Sequence, residues 1–193
     1  DKYMYSNAQN AELTASNMIT FGDSDGYVMR DDGTYLNENS GSYVAWGWKA
    51  NGGTTSSDSS GDITVTRQTN TAGGFSILTY TGNGSSDQTI AHGLGKSPAF
   101  IITKNRSSSS HWAVWNHQYT GYYGQLESNG AWASDSSQFY TAGMTSNFIG
   151  VKGSGATNES GDNMVAYVWS EIEGYSKFGK YTGNGNANGP FIY

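Results

Sequence analysis

The sequence contains no cysteine, only two prolines and few charged residues. These shortages exclude particular kinds of site and partner. Without cysteine there is neither a disulfide nor a thiolate metal site. Charged residues make up 13% of the chain and the formal net charge is -6, so no cluster of Lys and Arg offers a track for phosphates. No apolar run approaches the roughly 18–20 residues of a membrane span. The sequence therefore predicts neither a nucleic-acid partner nor a membrane.

The chain is instead rich in aromatic residues, at 14%, and it contains 27 glycines among 193 residues. A disordered chain would be poor in aromatics and rich in charge or proline. Aromatics combined with turn-forming Gly, Asn, Ser and Asp are typical of β-sandwiches and fibre modules. The chain begins at Asp1 without a leader-like segment, which predicts either a removed front or an excerpt of a longer protein.

Strand-like alternation recurs along the chain. Period-two or short apolar patterns predict strands at Tyr43–Lys49, Asp62–Gln68, Ala99–Lys104, His111–His117 and Met164–Trp169. Asp32-Gly33 and Asn129-Gly130 predict hairpin turns. These signals together predict an all-β fold, an antiparallel β-sandwich of jelly-roll or concanavalin-like type.

The chain repeats itself. "YTGNG" occurs at 80–84 and again at 181–185, and "VAW" at 44–46 corresponds to "VAY" at 165–167, which lies 121 positions later (165 − 44). The chain therefore reads as the back of one unit, a full unit and the front of another, within a single β-rich region 1–193. The linker-like stretch 51–61 is its one candidate boundary. The matched strands predict six buried side chains: Val44, Trp46, Trp48, Val165, Tyr167 and Trp169.

Three long segments, beginning "SYVAWGWKANGG", "AGGFSILTYTGNG" and "VAYVWSEIEGYSKFGK", are similar to a tandemly repeated domain in structural proteins of marine tailed bacteriophages. The resemblance runs from about Phe21 to Tyr193. It implies a module of a tail fibre or virion surface, located outside the cell, with other virion proteins and further copies of itself as partners. A homotrimer is implied by analogy with phage fibres. The resemblance implies no catalytic residue.

Several residues invite a chemical interpretation beside a structural one. Asp23, Asp25, Asp31 and Asp32 lie in acidic turns that suit Ca²⁺, although neither turn completes an EF-hand loop and Asp-Gly turns need no metal. We expect no other cofactor or metal. His92 lies in a tight glycine loop, which favours a structural histidine.

The histidines at 111 and 117 and a pair of glutamates complete the chemical candidates. His111 and His117, at two ends of a predicted strand, are about 20 Å apart and too distant to share a metal. Glu171 and Glu173 share a predicted strand face at about 7 Å, which is either a glycosidase-like carboxylate pair or a solvated edge.

The unrepeated aromatics are the remaining candidates for binding. Trp112 and Trp115 fall on opposite faces of one strand, so at least one is expected to point outward. Trp115, Trp132, Tyr122 and Tyr123 therefore form the candidate ligand-binding set, suited to sugar rings or to a subunit interface. The resemblance implies a non-enzymatic virion module, and the unrepeated aromatics predict that it contacts host glycans; the alternative is a glycan-depolymerising enzyme domain.

Overall fold

The structure is a computed structural model that describes residues 2–16, 18–21, 26–30 and 36–191, with only the backbone of Phe21. Within those residues the chain is almost entirely β. The strands are β1 (Lys2–Tyr3), β2 (Leu13–Thr14), β3 (Ile19–Phe21), β4 (Tyr27–Met29), β5 (Ser56–Asp58), β6 (Val65–Asn70), β7 (Phe75–Thr81), β8 (Gln88–Ala91), β9 (Phe100–Asn105), β10 (Ala113–Asn116), β11 (Tyr122–Gln125), β12 (Ala133–Ser134), β13 (Phe148–Val151) and β14 (Asn163–Trp169). Two single-turn 3-10 helices lie at His117–Tyr119 and Thr141–Gly143.

Eight strands form one large antiparallel sheet in the order β12-β11-β10-β9-β14-β7-β6-β5. Two meanders, β5-β6-β7 and β9-β10-β11-β12, flank β14, which returns from the end of the unit to pair with both β7 and β9. Alternating β-branched and aromatic residues drive these pairings, because such side chains pack well on a pleated surface. The predicted all-β antiparallel sandwich is confirmed.

The second layer is small and covers one face of the large sheet. Strands β8 and β13 pair with each other, and between them and the sheet lies a cluster that includes Leu78, Ile101, Ile149 and Val168, each with 0% of its surface exposed. Burying such a side chain contributes roughly 1.5–3 kcal/mol. We call the face of the sheet toward β8 and β13 the core face, and the opposite one the outer face.

β14 is the central strand of the large sheet and is buried on its core face. Its core-face residues Met164, Ala166 and Val168 join the cluster, whereas Val165, Tyr167 and Trp169 lie on the outer face. The predicted burial of Val165 is confirmed, while Tyr167 and Trp169 are only half-buried and none of the three belongs to the core cluster. The strand is mostly apolar because it lies between β7 and β9 in the middle of the sheet.

The predicted strand Tyr43–Lys49 is wrong. Residues 41–50 form no strand, and the side chains of Val44, Trp46 and Trp48 are 72%, 77% and 58% exposed. The sequence pattern of β14 is present here, but β7 and β9, which cover β14, are already occupied by it. Burial of this segment depends on strand partners that its own sequence cannot supply.

The internal repeat is visible in the strand registers. Lys2 pairs with Thr14 in the β1-β2 hairpin, and Tyr122 pairs with Ser134 in the β11-β12 hairpin, a shift of 120 positions at both ends (122 − 2, 134 − 14). The β3-β4 hairpin pairs Ile19 with Met29, and the Tyr140 N–H donates to the Gly150 carbonyl, a shift of 121 (140 − 19, 150 − 29). We call the part of the chain that contains β1 to β4 the opening segment. Both of its hairpins share their register with the corresponding residues of the full unit.

The remaining sequence expectations have separate outcomes. Asn129-Gly130 lies in the β11-β12 hairpin as predicted, but within the longer loop 126–132 and without the left-handed φ of a tight turn. Asp32-Gly33 lies outside the described residues. The linker-like stretch 51–61 contains the edge strand β5, paired to β6.

Candidate functional site

The outer face of the sheet near its β12 edge carries an aromatic cluster. Trp132 lies opposite Gly124 in the continued β11-β12 register, and a Cβ on Gly124 would stand only 2.7 Å from Trp132 Cε2. A glycine inside a strand often marks such a close approach. The missing side chain at Gly124 therefore lets the indole lie flat across β11.

Three rings pack together here. Tyr119 and Tyr122 stack in parallel with centroids 4.4 Å apart, and Trp132 tilts against Tyr119 at 5.7 Å. Tyr119 belongs to the 3-10 helix His117–Tyr119, whose first turn is capped by the Asn116 side chain accepting from the Gln118 N–H at 2.8 Å. This capped turn fixes Tyr119 beside the hairpin, so the cluster rests on ordered backbone at both ends.

The cluster forms one wall of a groove, and the segment after β14 forms the other. The groove has a volume of about 480 Å³ and is lined by Asn116, Tyr119, Trp132, Gly179, Lys180, Tyr181 and Thr182. Lys180 Nζ lies 4.6 Å from the centre of the Tyr119 ring, which is cation–π geometry. Lys180 is the only charged residue in this lining, so the groove combines aromatic faces with one ammonium group.

A hydrogen-bonded clasp holds the second wall against the first. His117 Nε2 lies 2.9 Å from the Phe178 carbonyl oxygen, and the Phe178 N–H donates to Glu171 Oε1 at 3.0 Å. Glu171 is in turn 3.4 Å from His117 Nε2. These contacts join the capped turn to the chain that leads into Gly179–Thr182, and so they set the width of the groove.

The structure separates the four predicted ligand-binding residues. Tyr122 and Trp132 lie in the cluster, with Tyr122 36% exposed, whereas Tyr123 points to the core face and packs against the core. Trp115 is 3% exposed and belongs to the core, so its assignment as a surface contact is wrong.

Trp112, on the same strand as Trp115, is also buried. Its indole N–H donates to the carbonyls of Tyr5 and Ala8, because the opening segment crosses the outer face there. The expectation that at least one of the two tryptophans is exposed is therefore wrong. The core covers Trp115, and the opening segment covers Trp112.

Tyr119, Asn116 and Lys180 were not predicted as site residues. Tyr119 stands beside "GYYG" in the unrepeated aromatic stretch, which is the one signal that pointed to it. Lys180 is 61 positions from Tyr119 (180 − 119), and only the return of β14 into the middle of the sheet brings the two together.

His92 is a structural histidine, as predicted. Its Nδ1 accepts from the Leu94 N–H at 3.2 Å, so Nε2 carries the proton and donates to the Thr145 carbonyl at 3.3 Å. The pKa of His92 is lowered to about 4, mainly by burial; the hydrogen bond to Thr145 opposes this shift and the nearby Arg67 adds to it. The neutral imidazole bridges two loops of the second layer.

His111 has a different environment, a contact with a mostly buried carboxylate. Its Nδ1 lies 2.5 Å from Glu127 Oε1, and Glu127 Oε2 accepts from the Trp112 N–H. Burial acts to raise the pKa of Glu127, but the hydrogen bonds from His111 and the backbone outweigh it and leave the pKa lowered. This pair fastens the loop after β11 to the start of β10.

Glu171 and Glu173 do not share a strand face, contrary to expectation. The segment after β14 forms a tight turn in which Ile172 bridges to Ser176 and Gly174 has a φ of +72°. Glu171 is engaged in the clasp and Glu173 is exposed. The four aspartates of the calcium expectation, Asp23, Asp25, Asp31 and Asp32, lie outside the described residues, and among the described residues no three His, Asp or Glu side chains form a metal-sized group.

A family model described as a domain of unknown function, DUF7483, matches residues 1–193. The chain belongs to the DUF7483 family. No curated protein and no solved structure matches it. Within the described part of this DUF7483 member, no helix has the length and apolarity to cross a membrane.

The groove of this DUF7483 chain combines aromatic rings with hydrogen-bonding groups. The half-buried rings of Tyr119 and Trp132 offer apolar faces, while the amide of Asn116, the hydroxyls of Tyr181 and Thr182 and the Lys180 ammonium can form hydrogen bonds at the rim. A flat, partly apolar ligand with a hydroxyl rim fits this combination.

Proposed function

We propose that this DUF7483 chain is a non-enzymatic structural module of a bacteriophage virion, part of a tail fibre or surface appendage, and that its groove contacts host glycans. The observation that carries the glycan contact is the cluster of Tyr119, Tyr122 and Trp132 at the groove. Sugar rings present an apolar face that stacks on such rings and a rim of hydroxyls that bonds to amide, hydroxyl and ammonium groups. Lys180 favours neutral or acidic sugars over cationic ones.

Two observations support the virion assignment. The sequence is similar to a repeated domain of phage structural proteins, and the strand registers of the opening hairpins match those of the full unit at shifts of 120 and 121 positions. Repetition suits an extended fibre, because each added unit lengthens the fibre and contacts only its neighbours. We place the protein at the virion surface, outside the cell, with other virion proteins and its own copies, as a homotrimer, for partners.

The alternative function is a glycan-depolymerising enzyme domain, which needs two carboxyl groups facing one cleft. The observation that supports this alternative is the carboxylate of Glu171, which lies in the clasp beside the groove. Release of reducing ends from capsular or cell-wall polysaccharide distinguishes the two functions. The proposal expects binding without release.

A glycan array followed by titration of the best ligand tests the proposal. We expect affinity on the order of millimolar per site, raised by multivalent display. Trp132→Ala and Tyr119→Ala should each abolish measurable binding. Tyr175→Ala is the matched control, because Tyr175 is 75% exposed and does not line the groove. Unchanged binding by Trp132→Ala would contradict the proposal.

A further inference from the structure

Two exposed segments resemble two strands that pair in the full unit. Ser42–Ala45 corresponds to Asn163–Ala166 of β14, and Gly179–Thr182 corresponds to Leu78–Thr81 of β7. All eight residues of these segments are exposed; Val44 is 72% and Tyr181 70% exposed. In the part of the chain that the structure describes, neither segment pairs with a strand.

The register of the full unit says how the two segments fit. β14 pairs antiparallel to β7, with Asn163 opposite Thr81, Met164 opposite Tyr80, Val165 opposite Thr79 and Ala166 opposite Leu78. Transferred to the exposed segments, Ser42 lies opposite Thr182, Tyr43 opposite Tyr181, Val44 opposite Lys180, and Ala45 opposite Gly179. The transferred register therefore predicts four particular residue pairs, and not only a contact between two apolar segments.

We propose that Ser42–Ala45 of one copy of this chain pairs antiparallel with Gly179–Thr182 of a second copy, joining the copies head to tail. An extended segment with exposed backbone groups is a template for strand addition, in which main-chain hydrogen bonds supply affinity and alternate side chains supply specificity. The two surfaces are different, so the contact is heterologous and repeats from copy to copy.

The side chains support this pairing on both faces. Tyr43 and Tyr181 take the positions of Met164 and Tyr80, which are 0% and 5% exposed in the full unit. A directly opposite aromatic pair stabilises an antiparallel sheet. Gly179 opposite Ala45 leaves the backbones free to approach, and Lys180 opposite Val44 keeps its charge on the outer side.

The contact shares the segment Gly179–Thr182 with one wall of the groove, so its test uses variants that belong to only one of the two sites. Ala45 lies outside the groove, whereas Tyr119 and Trp132 line the groove and lie outside the proposed ladder. Four paired residues form a short ladder, so we expect assembly that depends on protein concentration. Loss of assembly in a variant of Ser42–Ala45 and loss of glycan binding in a variant of Tyr119 or Trp132 are therefore separate outcomes.

Cysteine cross-linking between single variants of the full chain tests the pairing. The chain has no native cysteine, so Tyr43→Cys and Tyr181→Cys each introduce the only thiol. Residues directly opposite in antiparallel strands have Cα atoms about 4.5–5.5 Å apart, within disulfide range. Mixing the two variants under mild oxidation should give a disulfide between peptides 43 and 181, identified by mass spectrometry. Both sites are exposed, and melting curves check that each variant folds.

The matched control is a slip of one residue. Tyr43→Cys mixed with Lys180→Cys places the two Cβ atoms on opposite faces, so the 43–180 disulfide should form at the background rate of random collision. Ala45→Pro removes a backbone N–H from the proposed ladder and should suppress both the 43–181 cross-link and the concentration-dependent assembly. Equal yields for 43–181 and 43–180 would overturn the proposal. The absence of any 43–181 cross-link would also overturn it. So would an intramolecular disulfide alone in a double variant that carries both Tyr43→Cys and Tyr181→Cys, because the proposed pairing joins two copies.

Discussion

Two stretches of this chain have similar strand-like sequences, but one is a buried, paired strand and the other is exposed and unpaired. Asn163–Trp169 and the segment 42–48 share Val, Ala and Trp at matching positions. Val165 is 4% exposed, whereas Val44 is 72% exposed. The difference lies in the neighbours: β7 and β9 pair with the first stretch, whereas the second pairs with no strand among the described residues and its Trp48 ring packs against Phe75 and Trp169. An alternating sequence favours a strand, but the strand forms only where neighbouring strands pair with it.

The two copies of the glycine turn teach the complementary point. In each copy an asparagine side chain accepts from the N–H two residues later, Asn83 from Ser85 and Asn184 from Asn186. The glycines that follow have φ values of +72° at Gly84 and +65° at Gly185. The first copy is docked on Asn158, which is fully buried, while the second is exposed. Turn geometry is local and survives without its tertiary partners.

The largest expected effect comes from placing a charge at the same alanine in both copies. Ala166→Asp puts a carboxylate in a core where Ala166 is 0% exposed, and we expect a loss of more than about 4 kcal/mol of unfolding free energy. Ala45→Asp, at the matching exposed position, should change the stability by less than about 0.5 kcal/mol. Chemical denaturation measures both. Similar losses would show that the two copies are equally buried.

One tryptophan from each copy gives the next effect, although the two do not correspond, since Trp48 matches Trp169 and Trp46 matches Tyr167. Trp169 packs against Phe75 at 5.0 Å and Phe100 at 5.8 Å, so Trp169→Ala should cost about 2–4 kcal/mol. Trp46 is 77% exposed, and Trp46→Ala should cost less than about 0.5 kcal/mol. The same denaturation experiment reports the two values, and a costly Trp46→Ala would contradict the exposed placement.

The histidine of the full unit gives a pH dependence, because His92 is buried with 0% of its surface exposed. Burial lowers the pKa of His92 from 6.5 to about 4, so between these values the unfolded chain binds a proton that the folded chain does not. Its contribution is complete above about pH 6.5 and is lost as the pH falls toward 4, on the order of 2–3 kcal/mol.

The variant His92→Gln isolates that contribution from the carboxylates, which also titrate in acid. The difference in unfolding free energy between wild type and variant should shrink as the pH falls from 7 to 4. Parallel curves for the two proteins across this range would show that His92 is not buried in its neutral form.

The smallest effect separates the two hairpins of the repeat. At a shift of 120 positions Gly124 and Trp132 correspond to Met4 and Glu12, so only the second hairpin seats an indole on a glycine. Gly124→Ala should displace Trp132 and weaken glycan binding about tenfold, at a stability cost of about 1 kcal/mol. Gly130→Ala, in the loop of the same hairpin and away from the indole, is the control and should leave binding unchanged.

Alternation alone located four of the ten strands from β5 to β14, and it missed β7, which also has a neighbour on each edge. β6, β9, β10 and β14 fall within or across the predicted stretches, because their residues meet neighbours on both edges. The same reasoning failed at Tyr43–Lys49, where the pattern is equally good but the partners are missing from the described sheet. Period two reports which residues share a face, and it says nothing about whether a neighbour exists.

The candidate site was half predictable for a related reason. Trp132 and Tyr122 stood out as unrepeated aromatics, and both lie at the groove or in its cluster. Trp115 was misplaced because the core covers one face of its strand and the opening segment covers the other. Tyr119 and Lys180 meet only through the crossover of β14, which no local pattern encodes.

Hydrogen–deuterium exchange across the two matched stretches tests the central claim most directly. At low protein concentration the amides of Asn163–Trp169 should exchange only with global unfolding, because both edges of β14 are hydrogen-bonded. The amides of 42–48 should exchange at nearly the rate of an unstructured peptide. Comparable protection in the two stretches would contradict the account, since it would mean that the strand sequence pairs without β7 and β9.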